Sequence, residues 1–401
     1  MKKLYISTYL ICLSFLLNAQ GNWQAKRSFP NGSRAGIEFF GIQNSGYLFG
    51  GLDASGVSHN DLWKYDPGTD QWMQVASMPA PGRYSPAKFV IGSNAFVGTG
   101  FDGTTYFSDW WEYSGSLNMW TQKANFPGGA RYHSMGFGLN NLGYLGLGKL
   151  GGWYSDWYEY NPNTDVWTAK ADFPGTPRQN GVGFAAGNFG YVGLGGDDNM
   201  AYSDMYMYDP LTDTWTAKAD FPDVNGRYSA PYFVINSQAF VCGGYNYTTL
   251  FHSDSYKYNT LTDTWTPIAD FNNAGPARAT KGGFSSGGKG YIAMGESVTG
   301  FLSDLLEYNS DFIGVEETDA LSFLQIQFNS TSSILNIRNS GIMIPELNIE
   351  VYTTNGQLFK SVDLHNSKEA NIYLPDLSSG IYLYSILIKD KRVRQGKFLV
   401  E

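Results

Sequence analysis

The chain is poor in cysteine, in charge and in helical patterning, and each shortage excludes something. Only two of its 401 residues are cysteines. Cys12 falls in an apolar leader expected to be removed, so Cys242 stands alone and no intramolecular disulfide is available to the mature protein. Stability must come from packing. Charged residues make up 16% of the chain and no long amphipathic helical pattern occurs, which argues against both a helical fold and disorder. Beyond the leader, no stretch approaches the roughly 18 apolar residues that a transmembrane helix needs. Histidine is sparse too. His59, His133 and His252 lie at no zinc-like spacing with one another or with a cysteine, so no metal and no cofactor is expected.

What the chain has instead is 48 glycines and 16% aromatics, the composition of a β-rich fold with many tight turns. Met1-Lys2-Lys3, the apolar run Leu4 to Leu17 and the small Ala19 read as a signal peptide over 1–19, with the mature chain starting at Gln20. No cysteine follows to carry a lipid. Without the leader, 25 basic and 36 acidic residues remain, a net charge of −11. The acid excess lies in 20–319, with 17 basic and 29 acidic residues, while 320–401 carries 8 and 7. So acidic a surface repels phosphate backbones, and nucleic acid is not an expected partner.

A repeat of 47 to 50 residues runs through most of the chain. Tryptophans recur at Trp23, Trp72, Trp120, Trp167, Trp215 and Trp265, and arginines at Arg34, Arg83, Arg131, Arg178, Arg227 and Arg278. A phenylalanine follows each arginine by six residues, from Phe40 to Phe284. An aspartate comes later (Asp61, Asp109, Asp156, Asp204, Asp254 and Asp304), with a tyrosine four residues on. Each unit reads as four short strands, for example Arg227 to Ile235, Gln238 to Gly243, Ser255 to Asn259 and Asp263 to Ile268. Glycine pairs such as Gly50-Gly51 and Gly195-Gly196 end the second strand. A four-stranded blade cannot bury both its faces alone, but blades stacked radially can, with large aromatics filling the wedge between sheets. The sixth unit lacks a closing tryptophan, and Trp23 precedes the first arginine. The N-terminal strand is therefore expected to complete the last blade and close a six-bladed propeller. The pattern of an arginine-led strand, a Tyr-x-x-Gly-Gly strand end, Asp-x-x-x-Tyr and a final tryptophan resembles the kelch-repeat family over about residues 22–312. Kelch propellers include enzymes, adhesins and scaffolds, so the resemblance implies the fold and not the function.

From about Leu321 the period ends. Short strands at Ile334 to Ile337, Leu347 to Tyr352, Ile372 to Leu374, Ile381 to Ile388 and Gly396 to Val400 suggest a small β-sandwich, with Asn355-Gly356 as a hairpin turn. Ile349-Glu-Val-Tyr-Thr-Thr-Asn-Gly356, Leu377-Ser-Ser-Gly-Ile-Tyr-Leu383 and Gly396-Lys-Phe-Leu-Val-Glu401 resemble the type A sorting domain of the type IX secretion system of Bacteroidota. That resemblance implies export, with the secretion machinery as a partner. The organisation is thus a signal peptide (1–19), a propeller (20–312), a linker (313–320) and a sorting domain (321–401).

Features present in all six units are read first as structural. The arginines stand where one blade leads into the next. They either ring a channel mouth and attract an anion, or pair with the repeat aspartates and with backbone carbonyls. Residues that break the pattern are better ligand candidates. Loops between second and third strands share a face with the segments leading into the first strands. They hold Asp102, Tyr106, Trp153, Tyr154, Asp197, Asp198, Tyr202, Tyr245, Tyr247 and Phe251. Aromatics beside carboxylates suit a sugar, whose ring face stacks while its hydroxyls take hydrogen bonds. The expected function is therefore binding of a glycan or protein through this face. Kelch proteins also include copper oxidases with a cross-linked cysteine, but Cys242 sits in an apolar strand end and reads as core. They include sialic acid epimerases as well, and there the candidate acid/base is Glu38, the only carboxylate in any first strand, beside the arginine ring.

Overall fold

The computed structural model describes residues 21–310 and, further on, 324–329, 334–339, 344–353, 358–367, 369–374, 377, 380–388 and 391–400. The expected signal peptide (1–19), the linker (313–320) and the hairpin turn at 354–357 lie outside the described residues. The chain divides into two compact units, at Ile313/Gly314.

The first unit is a ring of six antiparallel four-stranded sheets. In the fourth blade, Val182–Ala186 pairs with Phe189–Gly193, which pairs with Met205–Asp209, which pairs with Thr214–Lys218. Burial follows position in the blade. Second strands are buried nearly end to end, because both faces are covered by neighbouring blades, while fourth strands lie at the rim and are mostly exposed. The sixth blade is completed by Asn22–Lys26, antiparallel to Gly300–Asn309, with Trp23 opposite Tyr308 as Trp72 is opposite Tyr65 in the first blade. The first and last strands of the repeat region therefore lock each other.

The repeat residues act as two devices. In the first, each tryptophan indole donates to a backbone carbonyl of the preceding blade. Trp120 donates to Ala76 at 2.7 Å and Trp167 to Ala124 at 3.0 Å, and Trp23 donates to Ala269 at 2.8 Å across the closure. An Asx residue in the turn before the tryptophan adopts left-handed backbone, as Asp165 does at φ 56°. Its side chain accepts from the backbone N–H of Ala124 in the neighbouring blade and from the Tyr160 hydroxyl in its own. Asp213 and Asp263 repeat this arrangement.

In the second device, each arginine donates to its repeat aspartate through both terminal nitrogens. The contacts are 2.5 and 2.8 Å for Arg34 with Asp61, and 2.6 and 2.8 Å for Arg131 with Asp156. Each also donates to a carbonyl at the end of the second strand, sixteen residues on. The residue after that carbonyl is glycine in all six blades (Gly51, Gly100, Gly148, Gly195, Gly244 and Gly295), at φ between 81° and 99°. The residue before it need not be glycine: Thr99, Leu147, Leu194 and Met294 hold φ near 55° there. The position that requires glycine is thus the second of the two. In the third blade the pair in register is Leu147-Gly148, and in the fourth it is Leu194-Gly195 rather than Gly195-Gly196.

The first strands are shorter than the sequence suggests. In the fifth blade the strand starts at Tyr232 and not at Arg227. Between them, Tyr228 still pairs with Tyr245 of its own blade, while Ser229 turns through positive φ and hydrogen-bonds around the ring. Ser85 N–H donates to Gly36, His133 to Ser85, Asn180 to His133, Ser229 to Asn180 and Thr280 to Ser229, at 2.6 to 3.1 Å. These six residues form a backbone collar around the central channel.

The second unit has a three-stranded sheet (Leu324–Asn329, Ile334–Asn339 and Glu369–Tyr373) and a four-stranded one (Leu358–Ser367, Ile344–Thr353, Gly380–Ile388 and Lys391–Val400). Leu335 and Ile372 are buried in the first, and Ile349, Val351 and Tyr382 in the second. The strands Leu324–Asn329 and Leu358–Ser367 were not anticipated. Among the described residues, no helix of the chain is long and apolar enough to cross a membrane.

Candidate functional site

The collar is the floor of a cavity of about 730 Å³ that opens on the face carrying the variable loops. Gly36, Ser85, His133, Asn180, Ser229 and Thr280 line its base. Tyr84, Tyr228, Tyr245, Phe251 and Phe301 form aromatic walls, and Glu296, Ser297 and Lys281 add polar groups. Tyr84 and Tyr228 each directly follow a repeat arginine, as does Tyr132, which packs on Tyr106 and does not line the cavity. Tyr228 packs edge-on against Tyr245 at 5.0 Å. Glu296 and Phe301 come from the long hairpin of the sixth blade, Lys289–Ser297 and Gly300–Asn309, which outgrows its counterparts past a bulge between Ala293 and Gly295.

Of the loop residues singled out in the sequence, Tyr245 and Phe251 line this cavity. The others hold the loops in shape. Asp102 accepts the N–H groups of Thr104 and Thr105, and Asp197 those of Asn199 and Met200 and the Tyr202 hydroxyl. Asp198 pairs with Lys149 at 2.6 Å, and Trp153 packs near the same ammonium, 5.2 Å from ring centre. Tyr106 stacks on Phe101 at 4.1 Å, Tyr154 covers the Arg131 guanidinium at 3.9 Å, and Tyr247 donates to the Asp197 carbonyl. The arginines Arg34, Arg83, Arg131, Arg178, Arg227 and Arg278 do not form an open cationic ring. All are buried, with both terminal nitrogens engaged by aspartate and carbonyl oxygens, and are covered by aromatics such as Phe126 and Tyr154.

Below the collar the channel narrows to a charged waist of Glu38, Lys88, Tyr232 and Lys281. Glu38 is 3% exposed and bridges Lys281 at 3.1 Å. Lys281 also donates to the carbonyls of Pro86 and Ser134. Lys88 donates to the Tyr232 hydroxyl at 3.3 Å. Burial pulls the Lys88 pKa down, but Tyr232 and Glu38 outweigh it and the net shift is upward. Burial, assisted by the Lys281 charge, holds His133 well below the ordinary histidine range, so its imidazole is neutral. Beyond the waist a second cavity, of about 360 Å³, opens on the opposite face. Cys242 is fully enclosed, and burial pushes its thiol up to about 12, which leaves it unreactive. Among the described residues, no three His, Cys, Asp or Glu side chains cluster as metal ligands.

Six sheets, a strand-exchanged closure and the Arg–Asp and Trp–carbonyl devices define a repeat propeller. The Kelch motif family matches residues 47–79 and 226–272, and the family described as secretion system C-terminal sorting domain matches residues 329–401. The chain is a kelch-repeat β-propeller with a C-terminal sorting domain of the type IX system, which implies export to the cell surface or the medium. The solved structure titled "Structure of YjhT" superposes with a TM-score of 0.60 at 14% identity, over 70% of this chain and 95% of that one. At that identity the likeness is one of fold. No curated protein matches the sequence.

Proposed function

We propose that the exported propeller is a recognition module that binds a glycan or protein ligand through the loop-face cavity, and that a glycan fits this cavity best. The observation that carries the reading is the cavity itself. Its volume of about 730 Å³ lies within the roughly 300–1,000 Å³ of small-ligand sites. Aromatic faces from Tyr84, Tyr228, Tyr245 and Phe251 stand over a floor of hydroxyl, amide and backbone groups. Such walls suit the apolar face of a sugar, and such a floor suits its hydroxyls. None of these wall residues is required by the repeat. The alternative, a carbohydrate mutarotase using Glu38, has less support, because Glu38 lies below the collar and is committed to Lys281. A glycan array probed with the mature chain tests the reading. Binding to one sugar class, lost in Tyr245→Ala, supports it, and absence of binding across the array removes it. Turnover of a sugar anomer that Glu38→Gln abolishes while binding persists would transfer support to the mutarotase.

A further inference from the structure

We infer that the cavity opposite the loop face binds a monoanionic oxyanion group, a carboxylate or a sulfate ester, on the ammonium of Lys88. The inference concerns a different cavity and does not depend on the glycan reading.

The waist holds two ammonium groups and one carboxylate. Glu38 is engaged by Lys281 at 3.1 Å, and the remaining Lys281 contacts are to two backbone carbonyls. Among the described residues, no carboxylate lies within ion-pairing distance of Lys88. Its one hydrogen-bond partner is the Tyr232 hydroxyl, at 3.3 Å, with the Tyr232 ring 5.2 Å away. An ammonium has three N–H donors, so two are left for another acceptor. Since Tyr232 accepts from Lys88 through its oxygen, its own hydroxyl hydrogen is free to donate to the same guest. Two ammoniums to one carboxylate leave an excess of one positive charge in a recess of an otherwise acidic propeller, where low-dielectric walls focus its field.

Lys88 is not a repeat residue. The positions that precede the repeat phenylalanines in the other blades are Phe39, Gly136, Gly183, Tyr232 and Gly283. Lys88, Tyr232 and all three glycines line the same 360 Å³ cavity. That volume admits a group the size of one sugar acid. Charge balance selects the guest: an excess of one matches a carboxylate or sulfate ester, whereas a phosphate monoester brings nearly two negative charges.

The test is calorimetric titration of the chain from Gln20 at fixed ionic strength with sodium glucuronate as the probe, glucose as the neutral control and methyl sulfate, a monoanion, as competitor. Glucuronate is expected to bind where glucose does not, Lys88→Met to weaken it at least tenfold and Lys88→Arg to retain it. Glu38→Gln, which leaves both ammoniums without a carboxylate, is expected to tighten it severalfold, a gain that a merely structural lysine does not produce. Should Lys88→Met fail to fold, the arginine and Glu38→Gln variants carry the test alone. Displacement by methyl sulfate at equal concentration supports the site and makes the oxyanion group, not the sugar ring, what it recognises. Absence of heat with either anion, or unchanged affinity in folded Lys88→Met or Glu38→Gln, overturns the inference.

Discussion

Asp156→Ala isolates the worth of one Arg–Asp staple. Arg131 is fully buried, and two of its bonds, at 2.6 and 2.8 Å, go to Asp156, which keeps a quarter of its side-chain surface. Removing one partner of a buried pair strands a charge, at about 3–5 kcal/mol. Water reaching the vacated site from the exposed side of Asp156 places this case near the lower end, about 3 kcal/mol. At about 2–3 °C per kcal/mol for a large domain, the melting temperature should fall by roughly 6–9 °C. Arg131→Met combined with Asp156→Leu removes both charges at once. The Leu147 carbonyl that Arg131 abandons still accepts from the Ser134 hydroxyl at 3.1 Å, so the part-buried Gly128 carbonyl is the one acceptor that loses its donor. The double variant should therefore recover about half the loss, although the stacking of Arg131 on Tyr154 is gone. Thermal unfolding of the two variants and the parent, followed by circular dichroism, decides it. A double variant as unstable as the single one would refute the reasoning, because the cost would then not come from a stranded charge.

Trp23→Ala should open the ring at its closure. It removes a buried indole that packs on Phe233, Phe271 and Tyr308 and bonds to Ala269, and a loss of about 3–5 kcal/mol is expected in denaturant melts. Gly138→Ala would place a Cβ 1.9 Å from the Val90 carbonyl oxygen, where the first strands of adjacent blades touch, so a loss of about 1–3 kcal/mol is expected although the backbone angles suit alanine. His133 is neutral in the fold, with a pKa depressed by burial and by Lys281. Its contribution is fully present above the unfolded value of about 6.5 and is lost as pH falls below it. His133→Gln should narrow the stability difference between pH 7.5 and pH 5.5, and an unchanged difference would show that this imidazole is not the group involved.

The propeller was legible because each of its devices needs a particular residue type at a fixed spacing. Only an arginine reaches a carboxylate and a strand-end carbonyl together, and only an indole spans to the next blade with a donor at its tip. The site was less legible because ligand-binding and loop-shaping residues share a composition. Asp102 and Asp197 read as sugar ligands, yet each begins an Asx turn that its own loop requires. A partial signal is the aromatic directly after the arginine, present at Tyr84, Tyr132 and Tyr228 but not at Ala35, Gln179 or Ala279. Two of those tyrosines became cavity walls. Glu296 and Phe301 could not be placed, because the bulge that lengthens the sixth hairpin has no counterpart in the other units. In the sorting domain, LQIQFN and LFKSVDLHNS mix polar with apolar residues and so lack the apolar runs by which the other strands were found.

The most direct measurement is the affinity of the chain from Gln20 for its best array glycan, set beside the Tyr228→Ala and Tyr245→Ala variants after each is confirmed folded by its melting curve. Loss of one ring wall is expected to weaken binding at least tenfold, as a stacked aromatic worth about 1.4 kcal/mol requires. Affinity unchanged in both folded variants would place recognition away from the loop-face cavity and contradict the account.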